Sequence, residues 1–151
     1  MQVATLVGSG DKIGRATLPF AVAGIVLNVA FPAFFSVGGP PDALRTLSIA
    51  MLVVGLIAWA WSAFLVLTRV PRGELITTGP YRLVRHPLYT AVALLVLPSI
   101  GFLLNSWLGA ATGVVMYLAS RRYAPDEERE LAERFGPAWD AYLGSVALPW
   151  L

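Results

Sequence analysis

The chain contains no cysteine and a single histidine, His86. Without thiols it cannot form disulfides, thiolate metal sites or a cysteine nucleophile, and one histidine cannot build a histidine-rich metal site. Charge is also scarce, because 13% of the 151 residues are charged and 57% are apolar, whereas soluble domains are nearer a quarter charged and half apolar. We therefore predict no metal site and a chain that needs lipid to cover its apolar surface.

Long apolar runs predict four transmembrane helices, because a span needs about 20 apolar residues to cross a hydrocarbon core of ~30 Å. The runs cover residues 17–37, 47–67, 87–104 and 107 to about 123. The last two form a helical hairpin, since Asn105 and Ser106 break a run that is too long for one crossing. Pro19 suits a first helical turn, and Pro32 predicts a kink.

The distribution of basic residues predicts the orientation. With four spans, ten of the eleven Lys and Arg residues fall on one side, and Arg45 alone falls on the other. The positive-inside rule then places both termini and the loop 68–86 in the cytoplasm. A three-span arrangement would put the C-terminal arginines outside and is disfavoured. The net charge of +2 is too small to indicate a nucleic-acid partner, and the N-terminal segment has no evident cleavage site for a signal peptide.

The tail from Arg121 onward predicts a cytoplasmic amphipathic helix. Pro125-Asp126 is a plausible helix start, and an apolar stripe then recurs on one helical face at Leu131, Phe135, Trp139 and Tyr142. Extending this stripe backwards places Glu127 and Glu128 near the inward face. Four further charged residues fall mostly elsewhere and receive no function: Arg129, Glu130, Glu133 and Arg134. The fold class is therefore all-α integral membrane, with four spans and this tail helix.

Loop and tail should meet at one membrane face, because the loop joins spans two and three and the tail follows span four. Arg85 and His86 in the loop, with Glu127 and Glu128 in the tail, could hold each other or a zwitterionic ligand. Plainer roles also fit these residues. The loop arginines suit a role in topology or lipid-headgroup contacts, and His86 suits a helix cap. The glutamates suit the positive end of a helix dipole, and the apolar stripe suits an interfacial helix that lies on lipid.

Four short motifs in order are more specific. Residues 75–91 read LITTGPYRLVRHPLYTA, and EERELAERFGPAWDAY follows the hairpin at residues 127–142. They resemble the integral membrane methyltransferases of the isoprenylcysteine carboxyl methyltransferase and phospholipid methyltransferase group, which show L-V-T-x-G-x-Y, R-H-P-x-Y-x-G, a hairpin, E-E and F-G-x-x-Y-x-x-Y. The matching residues are Leu75, Thr77, Gly79 and Tyr81, then Arg85, His86, Pro87 and Tyr89, then Glu127 and Glu128, and finally Phe135, Gly136 and Tyr142.

The resemblance implies S-adenosylmethionine as cofactor and a lipid-like acceptor, with membrane lipids as neighbours. It divides the single membrane domain 1–151 into two N-terminal spans, 1–72, and a methyltransferase-like core, 73–151. We expect catalytic roles for Arg85, which would hold the acceptor's polar head, and for His86, the one side chain whose ordinary pKa lies near neutrality. The expected cofactor-binding residues are Leu75, Thr77, Gly79, Tyr81, His86, Pro87, Tyr89, Glu127 and Glu128.

The sequence departs from the group at a few positions. Ala91 and Trp139 replace a glycine and a tyrosine, and residues 144–147, Gly-Ser-Val-Ala, stand where isoprenylcysteine-type members carry basic residues. The last departure argues against an isoprenylcysteine carboxylate as acceptor. Two other functions stay open: a non-catalytic membrane scaffold or lipid-binding protein, which would bind no cofactor, and a membrane reductase, which would need a larger nicotinamide pocket.

Overall fold

The structure is a computed structural model that describes residues 9–39, 41–149 and 151. Its helices are α1 (Gly10–Ala30), α2 (Pro32–Phe35), α3 (Asp42–Arg69), α4 (Pro87–Leu103), α5 (Leu108–Phe135) and α6 (Pro137–Ser145). Two 3₁₀ turns, Val70–Arg72 and Gly79–Arg82, lie between α3 and α4. The described residues form no strand, which confirms the predicted all-α class.

Helix α1 lies earlier in the sequence than the predicted span 17–37. It ends at Ala30, because the φ of −135° and ψ of 57° of Phe31 leave the helical region. Pro32 has no N–H to continue the hydrogen-bond ladder, so it ends the helix and begins the short α2 instead of kinking a longer helix. Pro19 consequently lies inside α1 and not in its first turn.

Helix α4 contains a π-helical stretch, Val92–Val96. Pro98 follows in the next turn and has no N–H for the carbonyl one turn earlier, a defect that a wider π turn accommodates. Gly55 of α3 faces this stretch so closely that a Cβ there would lie 2.8 Å from the Cβ of Leu95. Helix α3 therefore packs directly against the widened part of α4.

Helices α4 and α5 form a hairpin in which glycines of α5 lie directly against the backbone of α4. A Cβ on Gly113 would lie 2.2 Å from the carbonyl oxygen of Ala93, and one on Gly109 would lie 2.4 Å from that of Leu97. No side chain fits at these distances, so the two backbones touch, a close approach that small residues allow.

The hairpin turn is joined to the segment that follows α2. Asn105 adopts a positive φ of 56° in the turn, a conformation that asparagine tolerates better than most residues. Ser106 forms an antiparallel bridge with Ser36, and the Gly39 N–H donates to Asn105 Oδ1 at 2.9 Å. These contacts hold the end of the bundle that lies opposite the loop 73–86.

Helix α5 continues through the position where a separate tail helix was expected to begin. Pro125 lies inside the helix, and α5 ends only at Phe135, before Gly136. Ser9 Oγ donates to the Tyr123 carbonyl at 2.9 Å, so the start of α1 supports α5 beside the proline. Gly136 has φ 50° and ψ −125°, a conformation that favours glycine, and the break therefore falls there.

The distribution of side chains is that of a membrane protein. Val29 and Phe64 are exposed, whereas Ser48 and Ser62 are 1% and 0% exposed. Soluble proteins show the reverse, but small polar residues between helices and large apolar residues outside are typical in lipid. Two segments, α1 and Asp42–Arg72, are long and apolar enough to cross a membrane, and α4 is a shorter apolar helix.

Candidate functional site

Gly79 allows the loop between α3 and α4 to pack closely against α3. Its φ of +63° is left-handed, which favours glycine. A Cβ there would also lie 3.0 Å from the Trp61 ring, so a larger residue would push the loop away from α3. Gly79 thus shapes the loop that leads to Tyr81 and Arg85.

Arg85, His86 and Glu128 form a linked group where this loop meets α5. Arg85 Nη1 donates to Glu128 Oε2 at 2.8 Å, and His86 Nε2 lies 2.9 Å from Glu128 Oε1. The three side chains are 19%, 13% and 21% exposed, so solvent screens their contacts less than it would on an open surface. One carboxylate therefore orients both loop side chains.

The ionisation of Glu128 suits this role. Burial would raise the pKa of Glu128, but the hydrogen bond with His86 and the charge of Arg85 outweigh burial and hold the pKa below its ordinary value. Glu128 is therefore a carboxylate at neutral pH. His86 makes no side-chain cap to α4, because its ring is directed to Glu128 instead.

The C-terminal segment, residues 146–149, holds the same loop. The Ala147 N–H donates to the Arg82 carbonyl at 3.1 Å, and the Leu148 N–H donates to the Leu83 carbonyl at 2.8 Å. Arg85 Nη2 donates to the carbonyl oxygen of Pro149 at 2.6 Å. Arg85 is thus fixed between Glu128 and the C-terminal segment.

Two tyrosines connect α6 to the loop. Tyr142 Oη donates to the Tyr81 carbonyl at 2.8 Å, and burial raises the pKa of Tyr142 to about 12, so the donor keeps its proton at neutral pH. Burial also raises the pKa of Tyr81, and the Glu127 carboxylate adds to this effect. Tyr142 packs with Trp139 and Val146 in a small buried cluster, which anchors the C-terminal segment.

Glu127 faces different groups from its neighbour. Its Oε2 accepts a hydrogen bond from the Ser9 N–H at 3.1 Å, and Tyr89 interacts with the same carboxylate. Lys12 pairs with Asp126 at 3.2 Å. The start of α1 therefore closes one side of the site, although no sequence motif marks it.

A cavity of about 700 Å³ lies among these elements, within the range of about 300–1,000 Å³ typical of small-molecule sites. Trp59, Val92 and Met116 line an apolar part, and Glu130 and Arg134 line a charged part. Met116 and Arg134 are roughly 27 Å apart along α5 at ~1.5 Å per residue. The cavity is therefore elongated, with an apolar and a charged end.

The structure brings most of the predicted site residues to this cavity. Those that line it are Leu75, Tyr81, Arg85, His86, Tyr89 and Glu127. Glu128 instead lines an adjacent cavity of about 80 Å³, which shares Arg85 and His86 with the larger one. Thr77, Gly79 and Pro87 line neither cavity: Thr77 is exposed, Gly79 seats the loop, and Pro87 is buried at the start of α4.

Glu130 and Arg134 were assigned no function from the sequence, yet both line the large cavity. Because α5 is unbroken at Pro125, Glu127, Glu130, Leu131 and Arg134 share one helical face at the spacing i, i+3, i+4 and i+7. The signal was present in the sequence, but the apolar stripe that was traced continued past Gly136, where α5 ends.

One family model matches the chain, that of the Isoprenylcysteine carboxyl methyltransferase (ICMT) family, over residues 43–133. The match runs from the start of α3 to near the end of α5, and includes Arg85, His86, Glu127 and Glu128. Helix α1 and the C-terminal segment lie outside it. No curated protein and no solved structure matches the chain.

Proposed function

The chain belongs to the isoprenylcysteine carboxyl methyltransferase family of membrane methyltransferases, and on that premise we propose that it transfers a methyl group from S-adenosylmethionine to a lipid-like molecule at the cytoplasmic interface. One observation carries the proposal. The Arg85–His86 loop and the α5 glutamates, more than 40 residues apart, meet beside one elongated cavity.

The lining residues fit this cofactor chemically. S-adenosylmethionine has an amino-acid end with an ammonium and a carboxylate, a sulfonium cation and an adenine ring. Side chains of both signs line the charged end of the cavity, and carboxylates favour the cationic groups. Flat apolar faces for adenine are offered by Tyr81, Tyr89, Phe135 and Trp139.

The apolar end of the cavity fits the tail of a lipid-like acceptor. Trp59, Val92 and Met116 lie on α3, α4 and α5, three of the helices that we propose cross the bilayer. An acceptor that enters from the lipid would bring its polar head to Arg85. Arg85 Nε is buried and has no hydrogen-bond partner among the described residues, and a buried donor is costly unless a ligand accepts its bond.

The site residues would position the acceptor and, for one class of acceptor, transfer a proton. When bound, the cofactor supplies an electrophilic methyl group, and the chain must hold the acceptor in line with it and exclude water. Arg85 would hold the acceptor's head, and Glu128 would orient Arg85 and His86. His86 would take a proton if the acceptor is an amine, whereas a carboxylate acceptor requires no base.

We also propose four crossings with both termini in the cytoplasm. Helix α5 begins with uncharged residues 108–120 before Arg121, and α4 is roughly 25 Å long at ~1.5 Å per residue. The basic residues favour this orientation.

Because the chain has no cysteine, single cysteines at Leu151 and Asn105 can be labelled selectively. We expect Leu151→Cys to label from the cytoplasmic side and Asn105→Cys from the outer side; outside labelling of Leu151→Cys would contradict the orientation.

Calorimetry on the purified protein tests the function most directly. We expect S-adenosylmethionine or its demethylated product to bind, and a membrane-lipid extract with radiolabelled cofactor to give a labelled apolar product. Folded protein that binds neither form of the cofactor would favour the scaffold or lipid-binding function, and nicotinamide binding would favour a reductase. Label only in water-soluble small molecules would rule out the lipid-like acceptor.

A further inference from the structure

Among the residues that the structure describes, seven charged side chains line the large cavity, and five of them already have a partner within the chain. Lys12 pairs with Asp126, Glu74 with Arg69, and Arg85 with Glu128. Glu127 accepts the hydrogen bond from the start of α1. The two that remain are Glu130 and Arg134.

Glu130 and Arg134 have no ionic partner in the part of the chain that the structure describes. Their i, i+4 order would favour a pair with each other, but no such pair forms. Arg134 lies over the Phe135 ring at 5.3 Å, and its Nη2 would lie 3.3 Å from a Cβ on Gly73. A carboxylate and a guanidinium therefore stand side by side at the cavity wall, both available to a ligand.

We propose that Glu130 and Arg134 form the subsite for the amino-acid end of S-adenosylmethionine, an inference that rests on the proposed function. Glu130 would accept hydrogen bonds from the ammonium, and Arg134 would donate to the carboxylate. Residues four apart on a helix have Cβ atoms about 5–6 Å apart, and both side chains are long enough to converge on two groups carried by one carbon. The planar guanidinium can contact both carboxylate oxygens at once.

The other charged residues are less suited to this subsite. Binding the ammonium at Glu127 would compete with the contact that holds Ser9. Arg85 has only Nε without a partner, so a carboxylate bound there through two donors would compete with Glu128 or Pro149. Glu130 and Arg134 would bind a zwitterion without breaking an ion pair of the described residues. Arg134 also lies beyond the matched residues 43–133, so the family match assigns it no role.

Decarboxylated S-adenosylmethionine separates the two halves of the subsite, because it keeps the amine and lacks the carboxylate. Arg134→Gln should weaken S-adenosylmethionine binding about tenfold, the scale of one exposed charge-assisted contact, and leave decarboxylated cofactor binding unchanged. Glu130→Gln should weaken both ligands, since both carry the amine. Calorimetry gives all of these affinities on the full-length protein.

Matched controls lie on the same helix. Arg122→Gln and Glu133→Gln change the same charges at residues that do not line the cavity, and should leave both affinities unchanged. Arg134→Lys keeps the charge and should retain part of the preference for the carboxylated cofactor. Circular dichroism checks that each variant is folded.

The outcomes separate the subsite from the function it rests on. If wild-type protein binds S-adenosylmethionine but Arg134→Gln weakens both ligands equally, or neither, the subsite is wrong and the function stands. If Glu130→Gln binds both ligands like wild type, the ammonium half of the subsite is wrong. If folded wild-type protein binds neither ligand, the proposed function fails and the subsite fails with it.

Discussion

Glu128→Gln is expected to lower methyl-transfer turnover about a hundredfold, because removing one partner of a largely buried ion pair leaves the other charge uncompensated. Glu128 holds Arg85 and His86 through separate carboxylate oxygens, at 2.8 and 2.9 Å. Glutamine has the same shape but no charge, and its amide nitrogen cannot accept a hydrogen bond. The amide oxygen can still accept from one loop side chain, so the other should lose its fixed orientation.

Cofactor affinity should fall less than turnover in Glu128→Gln. Glu128 does not line the large cavity and acts there through Arg85 and His86, so it is a positioning residue. Turnover with labelled cofactor and calorimetric affinity, measured on the same preparation, give this split. Glu133→Gln removes an exposed carboxylate from the same helix and should behave like wild type. Equal losses in the two variants would show that general charge matters and not this contact.

The same carboxylate should produce an acid limb in the activity of the wild-type protein. The folded-state pKa of Glu128 is below the ordinary value, so its ion pairs are fully present above the ordinary carboxyl range. They are lost as the pH falls through the lower, folded-state pKa. In Glu128→Gln this limb should be absent, because no titrating group remains at that position.

Local sequence signals predicted the helices well where one residue type decides the backbone. Asn105 and Ser106 marked the hairpin turn, whereas the π stretch of α4 was not predicted. Proline misled the prediction at three positions, the first being Pro19, which was expected in a first turn and lies inside α1. Pro32 ends α1 instead of kinking it, while Pro125 is carried inside α5. The difference depends on neighbours, since the start of α1 packs beside Pro125, and a contact between residues 114 positions apart is not visible in one sequence.

The candidate site was likewise predicted where the sequence carries a motif and missed where it does not. The motif residues Arg85, His86 and Glu128 lie together, as the predicted meeting of loop and tail requires. The C-terminal segment was missed because its bonds to the loop run mainly through backbone atoms, which carry no residue signature. Glu130 and Arg134 were missed because their helical phase was measured from a stripe that crosses Gly136.

Arg85→Lys is expected to lower turnover roughly thirtyfold, on the scale of one or two lost charge-assisted hydrogen bonds. The guanidinium uses Nη1 for Glu128 and Nη2 for Pro149, and keeps a third donor, Nε, buried beside the cavity. A lysine ammonium is a point charge without this planar fork. It can keep one of the two internal contacts but cannot also offer a directed donor to an acceptor's polar head.

The split between binding and turnover distinguishes the two roles that the sequence left open for Arg85. If Arg85 positions the acceptor, turnover falls in Arg85→Lys while calorimetric affinity for S-adenosylmethionine stays close to wild type. If Arg85 only anchors the loop at lipid phosphate, lysine replaces it well, because both side chains extend a charge to the interface. Arg82→Lys is the matched control. Arg82 is exposed and contacts the C-terminal segment only through its carbonyl. Lysine can therefore replace it without altering a contact of the site. Wild-type turnover in both variants would therefore assign Arg85 to the membrane surface and leave the acceptor's head to be held by other residues of the cavity.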